Sequence, residues 1–168
     1  MTNVFWVTGL SGAGKTTIGN LLYQHLKQTR PTIFLDGDII REVLGNMIGY
    51  TKEERYKGAF IISRMCQMLA SQNIDVVCCT ISMFHDVRKR NRKNIPGYRE
   101  IYLKVKPEVL YQRDQKGLYS GVKNGKLCNV MGMDLEFEEP KCPDLIVENN
   151  GDASPEQILE QILSDLNL

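Results

Sequence analysis

The chain has 168 residues, 42% of them hydrophobic and 24% charged. That is the length and composition of one globular domain with a real core, which excludes disorder as the main state. Lys plus Arg total 21 against 20 Asp plus Glu, a net charge of +1, so bulk charge makes no case for a nucleic-acid or membrane-surface partner.

Met1 to Trp6 lack the basic region that opens a signal peptide. Val4-Phe5-Trp6-Val7 is a short apolar run that ends at Gly9, which predicts a buried strand. Thr16 to Gln28 places Ile18, Leu21, Leu22 and Leu26 at helical spacing, and Pro31 closes that segment. His25 falls in its polar stretch and is expected at the surface. Thr32 to Leu35 reads as a second strand, stopped by Asp36-Gly37-Asp38. Thr51 and Glu54 have capping-box spacing and predict a helix to about Ser71, with Phe60, Ile61, Met65, Met68 and Leu69 facing inward.

Ile74 to Thr80 predicts a buried strand that takes Cys78 and Cys79 into the core. Asp86 to Lys93 reads as a polar helix. Its run Arg88-Lys89-Arg90-Asn91-Arg92-Lys93 has no interleaved aromatics, which favours a solvated face over a nucleic-acid surface. Tyr98 to Val105 predicts a strand, and Pro107 opens a helix over 107–114. Asp114 to Pro143 carries Gly117, Gly121, Gly125 and Gly132 among polar residues without periodicity, the mark of a functional or mobile loop. Asp144 to Val147 is a last strand and Pro155 to Leu166 a last amphipathic helix. Strands alternate with helices throughout, which predicts an α/β fold: a parallel sheet with helices on both faces, in a single domain over 1–168. Five cysteines, an odd number without a C-x-x-C pair, fit reduced thiols in the cytoplasm better than disulfides or zinc. No apolar run approaches the roughly 20 residues that span a bilayer.

Gly9-Leu10-Ser11-Gly12-Ala13-Gly14-Lys15-Thr16 fits G-x-x-x-x-G-K-[ST] between a predicted strand and a predicted helix, the context that motif requires. The glycines let backbone N–H groups turn around phosphate oxygens, and the following helix adds its positive end. Lys15 is expected on the β- and γ-phosphates of ATP and the Thr16 hydroxyl on Mg²⁺. No Asn/Thr-Lys-x-Asp motif follows, which argues against a GTPase switch; a small-molecule kinase with a P-loop NTPase-type sheet is the expectation. Asp36-Gly37-Asp38 stands at the sheet edge where ligands sit in open α/β folds. As a plain turn it needs no function. As paired carboxylates, one holds Mg²⁺ and the other takes a proton from an acceptor hydroxyl.

These residues, with Arg41, Gly49-Tyr50-Thr51, Arg55, Ile81-Ser82, Arg113-Asp114-Gln115-Lys116-Gly117-Leu118-Tyr119 and Pro143-Asp144-Leu145-Ile146-Val147, resemble the adenylylsulfate kinase family over nearly the whole chain. The R-D-x-K-G-L-Y segment is the most discriminating part. The resemblance implies transfer of the ATP γ-phosphate to a ribose 3′-hydroxyl, beneath a mobile lid over about 114–143, in a homodimer. It implies ATP binding by Gly9, Ser11, Gly12, Ala13, Gly14, Lys15, Thr16, Thr17 and Arg113, and Mg²⁺ at Thr16 and Asp36. Lys15, Asp36, Asp38 and Lys116 would be catalytic. Asp38, Arg41, Tyr50, Arg55, Gly58, Ile81, Ser82, His85, Lys116 and Val130 would contact the acceptor.

The departures from the family pattern lie mostly in the acceptor half. Ile39 and Gly58 stand where the family has Asn. Met83-Phe84-His85 replaces Pro-Tyr-Arg, so His85 is expected to donate to an anionic group of the acceptor. Val130 replaces a lid Phe that, with an aromatic at position 50, sandwiches adenine; one lost stacking face is worth about 1 kcal/mol or more. The ATP half is intact and the base half altered. That favours a related acceptor such as cytidine diphosphoramidate, phosphorylated by an adenylylsulfate-kinase-like enzyme of capsule modification, over adenylyl sulfate itself. A nucleotide-binding regulatory module and a sugar or nucleoside kinase are the rivals, and both leave Lys116 and the arginine pair unexplained.

Overall fold

The computed structural model describes residues 2–168. Strands β1 (Val4–Thr8), β2 (Thr32–Asp36), β3 (Asp75–Thr80), β4 (Tyr98–Lys104) and β5 (Leu145–Glu148) form one sheet in the order β2-β3-β1-β4-β5. Every neighbouring pair is parallel. The helices are α1 (Lys15–Leu26), α2 (Gly37–Leu44), α3 (Lys52–Ala70), α4 (His85–Asn94), α5 (Pro107–Arg113), α6 (Leu118–Lys123) and α7 (Pro155–Leu166).

The continuous apolar run of β1 becomes the central strand, fully buried because both faces are covered. Its side chains alternate between two cores. Phe5 and Val7, with Val77 and Cys79 of β3, pack against Ile18 and Leu22 of α1 and Ile158 and Ile162 of α7. Val4 and Trp6, with Val76 and Cys78, pack against Ala59, Ile62 and Cys66 of α3 and Val87 of α4. Complete capping boxes open α3 at Thr51–Glu54 and α7 at Ser154–Gln157. No helix among the described residues is long and apolar enough to cross a membrane.

Three helices depart from the sequence expectations. Residues 37–44 form α2, opened by the Asp36 carboxylate, which accepts from Asp38 N. Within the long glycine-bearing segment, 118–123 form α6. On α3 the buried positions are Gly58, Ala59, Ile62, Ser63 and Cys66, while Met68 is 54% exposed. Contact with α4 sets this rotation: Arg90 Nη1 donates to Ser63 Oγ at 2.6 Å.

The basic run of α4 is a solvated face only in part: Lys89, Arg92 and Lys93 are exposed, while Arg88 is buried. Arg88 lies against Glu100 of β4 at 2.7 Å, and Arg92 lies 3.0 Å from Asp144. Glu100 is on the next strand and Asp144 just precedes β5.

The connections after β1, β2 and β3 emerge at the carboxyl edge of the sheet, where the strand order crosses over. Ligands of open α/β sheets bind there, and the residues singled out above converge on that edge.

Candidate active site

The loop between β1 and α1 ends at Gly14, which caps α1 in the left-handed region with φ 89°. A Cβ on Gly14 would lie 2.6 Å from Asn149 Nδ2, so backbone conformation and space both require glycine. The loop carbonyls are taken one after another by side chains. Lys15 Nζ donates to Leu10 O at 2.7 Å. Tyr119 OH donates to Ser11 O at 2.7 Å, Arg113 Nη1 to Gly12 O at 2.9 Å, and Asn149 Nδ2 to Ala13 O at 3.0 Å. In a trans peptide, a carbonyl drawn to one side turns the next N–H to the other. Holding the Ser11 and Ala13 carbonyls in this way presents the Gly12 and Gly14 amides as an anion cradle. Burial pulls the Lys15 ammonium down to about 8, against the opposing attraction of Asp38 and Asp36. A triphosphate in the cradle would favour the ammonium further.

Across the cleft, Thr16 Oγ1 donates to Asp36 Oδ2 at 2.8 Å. Asp36 is 8% exposed and its other oxygen accepts from Asp38 N at 2.9 Å, which fixes the carboxylate at the start of α2. These are hard oxygen donors of the kind that bind Mg²⁺. Asp38 Oδ2 pairs with Lys116 Nζ at 2.7 Å. Burial opposes ionisation of Asp38, but the hydrogen bond and charge of Lys116, with Lys15 and Arg41, hold its carboxyl below the usual range. The same hydrogen bond raises Lys116.

The acceptor side is a scaffold of stacked cations. Arg41 donates to Ile48 O at 3.2 Å and also to Gly49 O, and its guanidinium lies 4.5 Å from the Tyr50 ring centroid. Arg55 donates from Nε to Tyr50 O at 2.8 Å and from Nη2 to Asn129 O at 2.8 Å, tying α3 to the 114–143 segment. Asp134 accepts from Asn129 N at 2.6 Å and Val130 N at 2.7 Å, closing the turn that carries Val130 into the wall. At Gly58, where the family pattern has Asn, an added Cβ would meet Ile48 Cγ2 at 2.9 Å. An isoleucine therefore fills the space an amide would need. Ser82 has φ 22° and is 7% exposed, and its hydroxyl has no hydrogen-bond partner among the described residues.

All of this surrounds one cleft of about 490 Å³. Its walls include Ser11, Gly12, Gly14, Lys15, Thr16, Thr17, Asp36, Asp38, Arg41, Tyr50, Arg55, Gly58, Ile81, Ser82, Lys116 and Val130. Four expected residues are not on the walls. Within the loop, Gly9 packs against the Leu103 backbone and Ala13 is buried in the core. Arg113 braces the loop from its outer side, with Nη2 also on Asn149 O at 2.9 Å, and does not face the cleft. His85 turns away to Arg88, with Nδ1 3.0 Å from Nη1, and its backbone N–H meets Glu138. The buried Arg88–Glu100 pair beside it draws His85 off the acceptor.

Sequence reasoning missed Asn149, Tyr119 and Asp134. Tyr119 was signalled by its place in R-D-x-K-G-L-Y; the other two carry no local signal.

A family model described as adenylylsulphate kinase matches residues 1–148. The chain is 40% identical over 166 residues to the cytidine diphosphoramidate kinase of Campylobacter jejuni, covering 98% of this chain and 96% of that protein. It is 36% identical over 151 residues to a probable adenylyl-sulfate kinase of Archaeoglobus fulgidus, covering 89% and 97%. Among solved structures it is similar to the Mycobacterium tuberculosis APS kinase CysC in complex with AMPPNP and APS. The TM-score is 0.89 and the identity 26%, over 99% of this chain and 98% of that one.

Proposed function

The chain belongs to the adenylylsulphate kinase family, and on that premise we propose that it transfers the γ-phosphoryl group of ATP to the ribose 3′-hydroxyl of a 5′-substituted nucleotide, cytidine diphosphoramidate ahead of adenylyl sulfate. One observation carries this reading: a single cleft joins the phosphate loop and the Asp38–Lys116 pair to an acceptor wall that keeps Tyr50 but has Val130 in place of the family phenylalanine. A pyrimidine needs less stacking surface than adenine, so losing an aromatic face costs it less. The Campylobacter jejuni relative named for that acceptor supports the choice.

The amides of the loop and Lys15 would hold the triphosphate. Asp38 would orient the 3′-hydroxyl and take its proton as the new O–P bond forms and the bond to the departing ADP breaks. Lys116 would leave Asp38 for the transferred group and offset its charge. Arg41 and Arg55 suit the anionic 5′ group of the acceptor. Thr16 and Asp36 would hold Mg²⁺, which when bound neutralises charge on the phosphate oxygens. Exposed free thiols at Cys128 and Cys142 fit a reducing compartment and so a cytoplasmic enzyme.

Adenylyl sulfate is the second reading, favoured by the retained Tyr50 and the arginine pair. Coupled ADP release with each acceptor, measured against an acceptor-free baseline, separates the two. The expected result is a higher kcat/KM for cytidine diphosphoramidate, with a 3′-phosphorylated product by phosphorus NMR. ADP release no faster than the baseline with both acceptors would refute the proposal.

A further inference from the structure

The segment that carries Lys116 is fastened to the phosphate loop at both ends. On one side Arg113 donates to Gly12 O at 2.9 Å. On the other, Tyr119, 1% exposed, donates its hydroxyl to Ser11 O at 2.7 Å. The anchors therefore grip adjacent carbonyls of the same loop. Between them the backbone is an arch of left-handed residues, with φ 34° at Asp114, 59° at Lys116 and 64° at Gly117. Non-glycine residues adopt such angles only where their surroundings over-determine them. Gly117 N donates to Asp114 O at 2.8 Å, and Asp114 Oδ1 accepts from Tyr119 N at 2.9 Å, which welds the arch to the start of α6.

The Lys116 side chain is 59% exposed, and its ion pair is with Asp38 at 2.7 Å. Its reach is set by where the arch sits. The Tyr119 ring needs no hydroxyl for packing, since it meets the Tyr111 ring with centroids 5.4 Å apart. Burial pushes its phenol up to about 12, so it remains a donor across the neutral range.

We propose that Tyr119 is a positioning residue for phosphoryl transfer: its hydroxyl on Ser11 O, with Arg113 on the neighbouring carbonyl, registers the arch against the phosphate loop and so delivers Lys116 to the transferred group. The loop that cradles ATP thereby also sets the place of the lysine. This inference rests on the kinase reading above.

The test is a double-mutant cycle of Y119F with K116A, read as kcat and as KM for ATP and for the acceptor. In the wild-type background Y119F lowers kcat by about ten- to a hundredfold while both KM values stay within about threefold. In the K116A background Y119F has no further effect on kcat, because the lysine through which it acts is gone. Equal losses in both backgrounds, an unchanged kcat, or a loss confined to KM for ATP would each overturn the proposal. R113K, which keeps the charge but loses the forked grip, runs the same cycle from the other anchor. Hydrogen exchange needs no acceptor: the amides of 114–118 exchange faster in Y119F, and unchanged exchange there also overturns the proposal. A wild-type enzyme that phosphorylates neither acceptor counts against the kinase reading alone and leaves the exchange measurement to decide the register.

Discussion

Val130 is a small residue in a large role. It is 5% exposed, lines the acceptor cleft with Tyr50, and has only aliphatic atoms to offer a base. Restoring a ring by V130F should add about 1 kcal/mol of stacking for adenine and less for cytosine. Steady-state kinetics on both acceptors should therefore show adenylyl sulfate gaining about two- to threefold in kcat/KM relative to cytidine diphosphoramidate. No change in that ratio would mean the base does not lie against position 130. At this scale the sequence was most readable where function fixes spacing. Lys15, Thr16, Asp36 and Asp38 line one cleft because the loop after β1 and the residues after β2 are local motifs at the carboxyl ends of the two strands that flank β3. Asn149 was invisible because its contact with Ala13 O spans 136 positions and an Asn-Asn pair reads as an ordinary turn. His85 lies off the cleft walls for a related reason: it meets Arg88, which pairs with a carboxylate on β4.

Among elements, the turn 129–135 depends on one charge. Burial opposes ionisation of Asp134, but the Val130 and Asn129 amides hold its carboxyl below the usual range. A carboxyl lowered in the folded state contributes stability above its unfolded pKa of about 3.9, and that contribution is lost as pH falls through the lower folded value. Exchange of the Asn129 and Val130 amides, corrected for intrinsic rates, should thus accelerate below about pH 4. D134N should reproduce the acceleration at neutral pH. Between α4 and β4 the Arg88–Glu100 pair makes a stronger demand, with side chains only 6% and 2% exposed. R88M leaves the buried Glu100 with only Arg92, 3.5 Å away and partly exposed, and should cost about 3 kcal/mol in urea unfolding, much of it recovered in R88M/E100M. Helix α2 escaped sequence reading because its eight residues set Ile40 and Leu44, which face a core, beside Ile39 and Val43, which are 58% and 78% exposed. The exposed pair point away from the core that a periodicity argument assumes. The strands and α7 were legible because their apolar residues do face a core.

For the molecule as a whole, two cores share one sheet, and the cleft stands where that sheet's strands end. A ligand bound there couples to the stability of the entire fold. A non-hydrolysable ATP analogue at about a hundred times its Kd should add about 2.7 kcal/mol and raise Tm by about 5–10 °C, read by scanning calorimetry. No shift would mean that the loop between β1 and α1 does not take up triphosphate. That loop's carbonyls are held by Arg113, Tyr119 and Asn149, all from the later part of the chain. Ribosomes add residues in order, so the glycine-rich turn is born long before the groups that shape it. While the later residues are still being added, those three carbonyl contacts are missing. The loop gains its full set of side-chain contacts only once Asn149, just past β5, has emerged and docked.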